Sequence, residues 1–264
     1  MLTEGHQLTP GYHVISHLAR GKALDVYDVW SESRYALCVA KTPRPDRSGD
    51  TRVRLRLRRE GQLLLAMTHP HIVRAYELVE RPQPVLVLEA LTGATLDYLL
   101  STRGRPMPAS ELVFLGLQLC SAVRYLHGHG VLHLDLKPAN IVSEEGIVKL
   151  IDLSVARPPG RARPGVGTRQ YLAPEQARGG VLGEQADVWG IGAVLYAAAT
   201  GRRPFYGLDE GEPYPQLDAR AAPVRSHRRL PAELARAIDA CLEQAPADRP
   251  TTAQLFDLLE AMTR

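Results

Sequence analysis

Up to about Leu91 the apolar residues fall in short β-rich runs, VISHLA, DVYDVW, YALCVAK, AYELVE and VLVLEA, each of strand length. One helix is predicted among them, within Val53 to Met67, although RVRLRLRRE alternates charge and apolarity at period two as an exposed strand would. Its continuation, Glu60 to Met67, sets Leu63, Leu64 and Met67 at helical spacing, and this decides for the helix. After Leu96 helical patterns dominate: Ala109 to His127, opened by the cap-like Ser110 before Glu111, then Gln185 to Thr200, Pro231 to Gln244 and a short C-terminal helix. Two β-like runs, Asn140 to Ser143 and Val148 to Ile151, lie between the first two of these. The pattern predicts an α+β chain of two lobes. Residues 1–91, structured from about residue 10, form a small β-rich lobe with one helix, and residues 92–264 form a larger, mainly helical lobe. The linker falls near Glu89 to Gly93, and clefts between lobes are where ligands usually bind.

Composition narrows the class. Hydrophobic residues at 45% and charged residues at 23% suit a soluble chain of 264 residues with a sizeable core. The apolar runs Val85 to Leu88 and Ile191 to Ala199 are too short for a membrane span, and MLTEGHQLTPGYHV lacks the pattern of a secretory signal, so a cytoplasmic location is expected. Cys38, Cys120 and Cys241 are far apart in apolar stretches and read as buried thiols rather than a disulfide framework. A net charge of +3 does not argue for nucleic acid, and the arginines at 52–59 and 157–169 read first as solvated basic faces. The Pro/Gly/Arg stretch from Pro158 to Gly167 reads as a mobile loop.

The chemistry concentrates in HLDLKPANI, His133 to Ile141, followed by Asp152 in KLIDLS. Phosphoryl transfer needs a carboxylate to orient the attacking hydroxyl and accept its proton, and oxygen ligands to hold magnesium on the phosphates. Asp135, Asn140 and Asp152 can fill these roles, and Lys137, two residues past Asp135, can stabilise charge on the transferred group. Taken singly, each has a plain alternative as a solvated, turn or capping residue; it is the ordered set that points to the chemistry.

On these residues the chain resembles the eukaryotic-type (Hanks-type) serine/threonine protein kinases over nearly its whole length. The resemblance implies the bilobal protein-kinase-like fold, ATP as phosphoryl donor and Mg2+ or Mn2+ as the metal. It implies that Lys41 binds the α- and β-phosphates and that Glu60 pairs with it. Asp135 and Lys137 are then catalytic with Lys41, and Asn140 and Asp152 are metal ligands, Asn140 also touching nucleotide. Ala19, Gly21, Val26 and Ala40 line the nucleotide site, Glu89 to Leu91 form the hinge at the adenine, and Leu88 stands behind it. GTRQYLAPE, Gly167 to Glu175, resembles the segment that docks a protein substrate, which small-molecule kinases of related fold usually lack. Asp187 resembles the residue that braces the catalytic loop, and Arg249 the partner of Glu175. Lys137-Pro138 and Thr168 resemble the Ser/Thr-directed branch, and LAPEQARGG and PADRPT its bacterial members. By the same resemblance the chain ends about where a catalytic domain ends, whether alone or within a longer protein.

The sequence also departs from the family. The phosphate-covering loop keeps one glycine, Gly21, with Ala19 and Leu24 where the pattern has glycine, so a stiffer or lifted loop and weaker ATP binding or slower transfer are expected. Asp152-Leu153-Ser154 replaces Asp-Phe-Gly, favouring a fixed over a switchable segment. Leu134 stands where regulated members carry a phosphate-gripping Arg, and Val155 to Val166 holds no Ser, Thr or Tyr, so activity independent of activation-loop phosphorylation is expected. Arg157, Arg161, Arg163 and Arg169 would suit acidic flanks in the acceptor or an acidic regulatory partner, or serve solvation alone. His127, His129 and His133 lack a fourth ligand for zinc. The rival reading is a pseudokinase, a nucleotide-binding regulatory module acting on a partner, supported by the altered loop and DLS. A small-molecule kinase comes third.

Overall fold

The computed structural model describes residues 2–208 and 213–263. Met1, residues 209–212 and Arg264, assigned by the sequence to the two lobes, lie outside the described residues. The chain divides into two compact units, residues 1–92 with 152–154, and residues 93–151 with 155–264. The boundary thus follows Thr92 rather than Leu91, and the short Asp152–Ser154 segment packs with the first unit, which the linear reading did not foresee.

In the first unit β1 (Gln7–Thr9), β2 (Tyr12–Arg20), β3 (Leu24–Ser31), β4 (Ala36–Pro43), β5 (Ala75–Val79) and β6 (Val85–Glu89) form one antiparallel sheet in the order β1-β2-β3-β4-β6-β5. Ordered structure begins before residue 10: Leu2 packs on the sheet core, and its N–H donates to the Tyr27 hydroxyl at 3.2 Å. Alternation along the strands gathers Tyr12, Val14, Tyr27, Val29, Cys38, Ala40, Val85 and Val87 into one apolar cluster. Between β4 and β5 runs α1 (Thr51–Leu65), capped by Asp50, whose carboxylate accepts from the Arg52 and Val53 amides. The period-two arginines do not make a strand because the buried stripe of α1 is Leu57, Glu60, Gly61 and Leu64, spaced as one helical face. Burying Leu57 and Leu64 stabilises by about 1.5–3 kcal/mol each. Gly61 admits Leu78, whose methyls would lie 3.0 and 3.1 Å from any Cβ there.

The second unit holds β7 (Ala94–Thr95), α2 (Leu96–Thr102), α3 (Ala109–Gly128), β8 (Ile141–Glu144), β9 (Ile147–Leu150), β10 (Gly160–Ala162), α4 (Pro174–Arg178), β11 (Gly180–Leu182), α5 (Gln185–Thr200), α6 (Ala232–Cys241) and α7 (Thr252–Ala261). Helix α5 is buried on every side from Ala186 to Ala199, so it shows no amphipathic stripe and serves as the spine against which α3 and α6 pack. The cap of α3 is Pro108, and Ser110 is exposed inside the first turn, because proline's fixed φ already sets the entry and no side-chain bond is made. The expected mobile loop at 158–167 contains β10, which pairs antiparallel with β11 through Gly160↔Leu182, Arg161↔Val181 and Ala162↔Gly180. Composition suggested a mobile loop; a partner strand twenty residues downstream supplies its backbone with bonds.

Cys38, Cys120 and Cys241 are buried free thiols, with burial pushing Cys120 up to about 12 and Cys241 higher still. Among the described residues no helix is long and apolar enough to cross a membrane.

Candidate active site

In the first unit, cross-strand pairing aligns Ala19, Val26, Lys41 and Leu86 in one row, because Ala19 pairs Val26, Val26 pairs Lys41 and Lys41 pairs Leu86. Three of the expected nucleotide residues therefore share a face. Ala40 does not: one residue from Lys41 it points to the other face, fully enclosed in the apolar cluster with Tyr27. Val39, paired with Leu88, shares the face of Lys41 instead, and period two counted back from Lys41 would have found it.

Lys41 Nζ donates to Glu60 Oε1 at 2.7 Å, with both side chains nearly enclosed. Burial alone would lower the Lys41 ammonium, but Glu60 and Asp152 outweigh it and the group is held above its ordinary range. Burial raises the Glu60 carboxyl, with Asp152 adding to the rise and Lys41 opposing it. The Asp152 carboxylate accepts from the Ser154 amide at 2.8 Å. Glu89 ends β6, its N–H donating to the Arg74 carbonyl at 2.9 Å and its carboxylate accepting from the Arg74 amide at 2.8 Å; Leu91 follows, half-buried.

The turn between β2 and β3 is short and stitched. Gly21 N–H donates to the Leu24 carbonyl at 2.8 Å, and Gly21 is not among the residues with positive φ. Arg44 reaches the carbonyls of Gly21 and Lys22 at 3.3 and 3.4 Å. At its base Arg20 grips the buried Asp25 with two bonds of 2.8 and 3.0 Å, and His17 approaches at 3.3 Å. Side-chain bonds hold this turn where the family pattern relies on glycine.

In the second unit the loop from His133 to Asn140 converges on one carboxylate. Asp135 Oδ2 accepts from Lys137 Nζ at 2.9 Å and from Asn140 Nδ2 at 3.0 Å, and Asn140 Nδ2 also donates to the Asp135 carbonyl. Lys137 Nζ donates onward to the Thr168 hydroxyl at 2.6 Å. Buried Asp135 Oδ1 has no hydrogen-bond partner among the described residues. The loop is held from below by Asp187, whose carboxylate accepts from the amides of His133 and Leu134 at 2.8 and 2.7 Å and from His127 at 2.8 Å. Gly190, also on α5, lets Leu136 rest on the helix. The three histidines do not converge: His127 serves Asp187, His129 bonds the Tyr125 carbonyl and His133 accepts from the Asp135 amide.

Leu134 is buried with a φ of +64°. Its carbonyl accepts from buried Gln176 Nε2 at 2.9 Å, which also donates to the Val166 carbonyl at 2.8 Å, while Gln176 Oε1 accepts from the Ala173 amide. The Arg157 backbone pairs with that of Leu132, and β10 with β11, so the Val155 to Val166 stretch is anchored by backbone and amide bonds. Arg249 donates to both oxygens of Glu175 at 2.6 and 2.9 Å.

Residues 12–258 match the family described as protein kinase domain. The serine/threonine-protein kinase PknB of Mycobacterium leprae is 38% identical over 181 residues, 64% of this chain and 29% of that protein. The PknB of Mycobacterium tuberculosis strain H37Rv is 35% identical over 231 residues, 81% of this chain and 37% of that protein. The chain thus spans about a third of the length of the curated relatives it matches. The crystal structure of the Mycobacterium tuberculosis PknI kinase domain aligns with a TM-score of 0.78 at 22% identity, covering 99% of both chains, a likeness of fold. With its β-rich and helical lobes, this chain belongs to the protein kinase domain family.

Proposed function

We propose that this domain transfers the γ-phosphate of ATP to serine or threonine hydroxyls of protein substrates, without activation-loop phosphorylation. The observation that carries the reading is Asp135: partly buried, with Oδ2 held by Lys137 and Asn140 and Oδ1, without a partner among the described residues, left to receive an acceptor hydroxyl. A carboxylate fixed at one oxygen is pre-oriented to accept a proton at the other. Lys137, already shared between Asp135 and Thr168, brings a positive charge to the neighbourhood of the transferred group. Lys41, held by Glu60, positions the phosphate chain.

The Asp152 carboxylate in the first unit and the Asn140 amide in the second each offer an oxygen donor of the hard type that Mg2+ or Mn2+ takes. When bound, the metal neutralises charge on the phosphates. Protein substrates are favoured by Gly167 to Glu175, fixed through Gln176 and Arg249, and Ser/Thr acceptors by the Lys137–Thr168 bond. Independence of loop phosphorylation is supported by the Gln176 and β10–β11 ties, which hold the segment where the family uses an arginine–phosphate pair. Use of ATP would place the domain in the cytoplasm. A second reading, a nucleotide-binding regulatory module, is favoured by one feature, the stitched β2–β3 turn.

Transfer of labelled γ-phosphate with Mg2+ or Mn2+, to the protein itself and to generic Ser/Thr substrates, tests the proposal. Asp135→Asn should lower it by about 10²- to 10⁴-fold, and Lys41→Met should abolish it. Absent transfer in the wild type with nucleotide binding intact would favour the regulatory module.

A further inference from the structure

Helix α1 holds the Asp152–Ser154 segment by a two-pronged side-chain tie. Arg56, four residues before Glu60 on the same face, donates through Nε to the Ser154 carbonyl at 2.8 Å and through Nη2 to the Ser154 hydroxyl at 2.9 Å. Two parallel donors from one planar guanidinium define a direction that a single ammonium does not. Ser154 in turn donates its amide to Asp152 Oδ1 at 2.8 Å, fixing the rotation of that carboxylate. The serine stands where the family pattern has glycine, is not among the residues with positive φ, and supplies the second acceptor that glycine lacks.

We infer that Arg56 and Ser154 are positioning residues for the Asp152 carboxylate, aligning it for a divalent metal through a tie written into α1 rather than through a switchable glycine. The inference rests on the reading of the chain as an ATP-dependent kinase. Helix α1 then sets both ends of the first-unit site, Lys41 through Glu60 and Asp152 through Arg56 and Ser154. Arg56 is exposed, so its removal leaves no cavity and no buried orphan charge.

The test compares Arg56→Ala, Arg56→Lys, Ser154→Ala and Ser154→Thr in the full chain. Two quantities are read: amide hydrogen exchange at 152–155 in the ligand-free protein, and the Mg2+ concentration that gives half-maximal tightening of a fluorescent ATP analogue. Arg56→Ala should speed the exchange and raise the Mg2+ requirement by about tenfold, the usual scale for losing a group that orients a metal ligand. Metal-free analogue affinity and melting temperature should stay as in the wild type. Ser154→Thr, which keeps the hydroxyl, should match the wild type; Ser154→Ala and Arg56→Lys should fall between. An unchanged Mg2+ requirement in Arg56→Ala overturns the inference, and so does an equal loss of metal-free affinity, which marks general loosening. If wild-type nucleotide binding ignores metal, the kinase reading fails instead, and unchanged exchange in Arg56→Ala would then overturn the tie as well.

Discussion

Replacing Arg249 by alanine should be among the most damaging single changes outside the His133 to Asn140 loop. Its side chain is fully enclosed and all its donors are engaged: Nε to the Glu243 carbonyl, Nη1 to Glu175 and the Gln185 carbonyl, Nη2 to Glu175 and the Gln244 carbonyl. The guanidinium also lies 4.9 Å from the centre of the Trp189 ring. Alanine would strand the Glu175 carboxylate, itself mostly buried, and free three carbonyls. Breaking one side of such a pair costs about 3–5 kcal/mol, a large share of the roughly 5–15 kcal/mol that holds a domain folded. For a chain of this size that corresponds to a fall in melting temperature of roughly 6–20 °C. Calorimetry or circular dichroism of Arg249→Ala would read it directly. Most of the cost is the orphaned charge, so pairing Arg249→Met with Glu175→Leu should recover much of the loss. A single variant melting within about 2 °C of wild type, or a double variant no better than the single, would refute the reasoning.

Gly190→Ala would place a Cβ 2.8 Å from Leu136 Cβ, between Asp135 and Lys137; we expect a cost of about 1–3 kcal/mol and a fall in kcat with KM for ATP little changed, and wild-type kcat would show that the loop does not rest on this contact. Arg20's bonds hold the Asp25 carboxyl below its ordinary value of 3.8, burial opposing and His17 adding. A depressed carboxyl stabilises the fold above that value and loses its effect as pH falls through the lowered one. The melting gap between wild type and Asp25→Asn should therefore close as pH falls below about 4; a gap that widens there would contradict it. Gln176→Leu leaves two carbonyls and an amide without their partner, and faster trypsin cleavage after Arg161 and Arg163 would report the loosened segment.

Much of the candidate site's clustering was legible because its residues are contiguous. HLDLKPANI carries the Asp135, Lys137 and Asn140 cluster within one short loop, and local geometry brings them together. The strands of the first sheet were legible for a similar reason, since period two survives wherever one face is covered. What escaped depended on partners distant in sequence. Strand β10 exists only because Gly180–Leu182 pairs with it. Ser154 reads as a lost glycine until Arg56, far earlier in the chain, is seen to meet it. Ala40 was misplaced by a single residue, which in a strand exchanges one face for the other.

The buried cysteines turn this architecture into its own reporter. Cys38 lies at 0% exposure in the first sheet, and Cys120 and Cys241 at 0% in the helices of the second unit. A thiol reagent can modify them only from an opened state, in which each regains an ordinary ionisation and with it its nucleophilicity. The labelling rate at Cys38 therefore clocks opening of the β-rich unit, and the rates at the other two clock opening of the helical unit. Mass spectrometry of one timed reaction would show whether the halves of this kinase domain come apart together or one before the other.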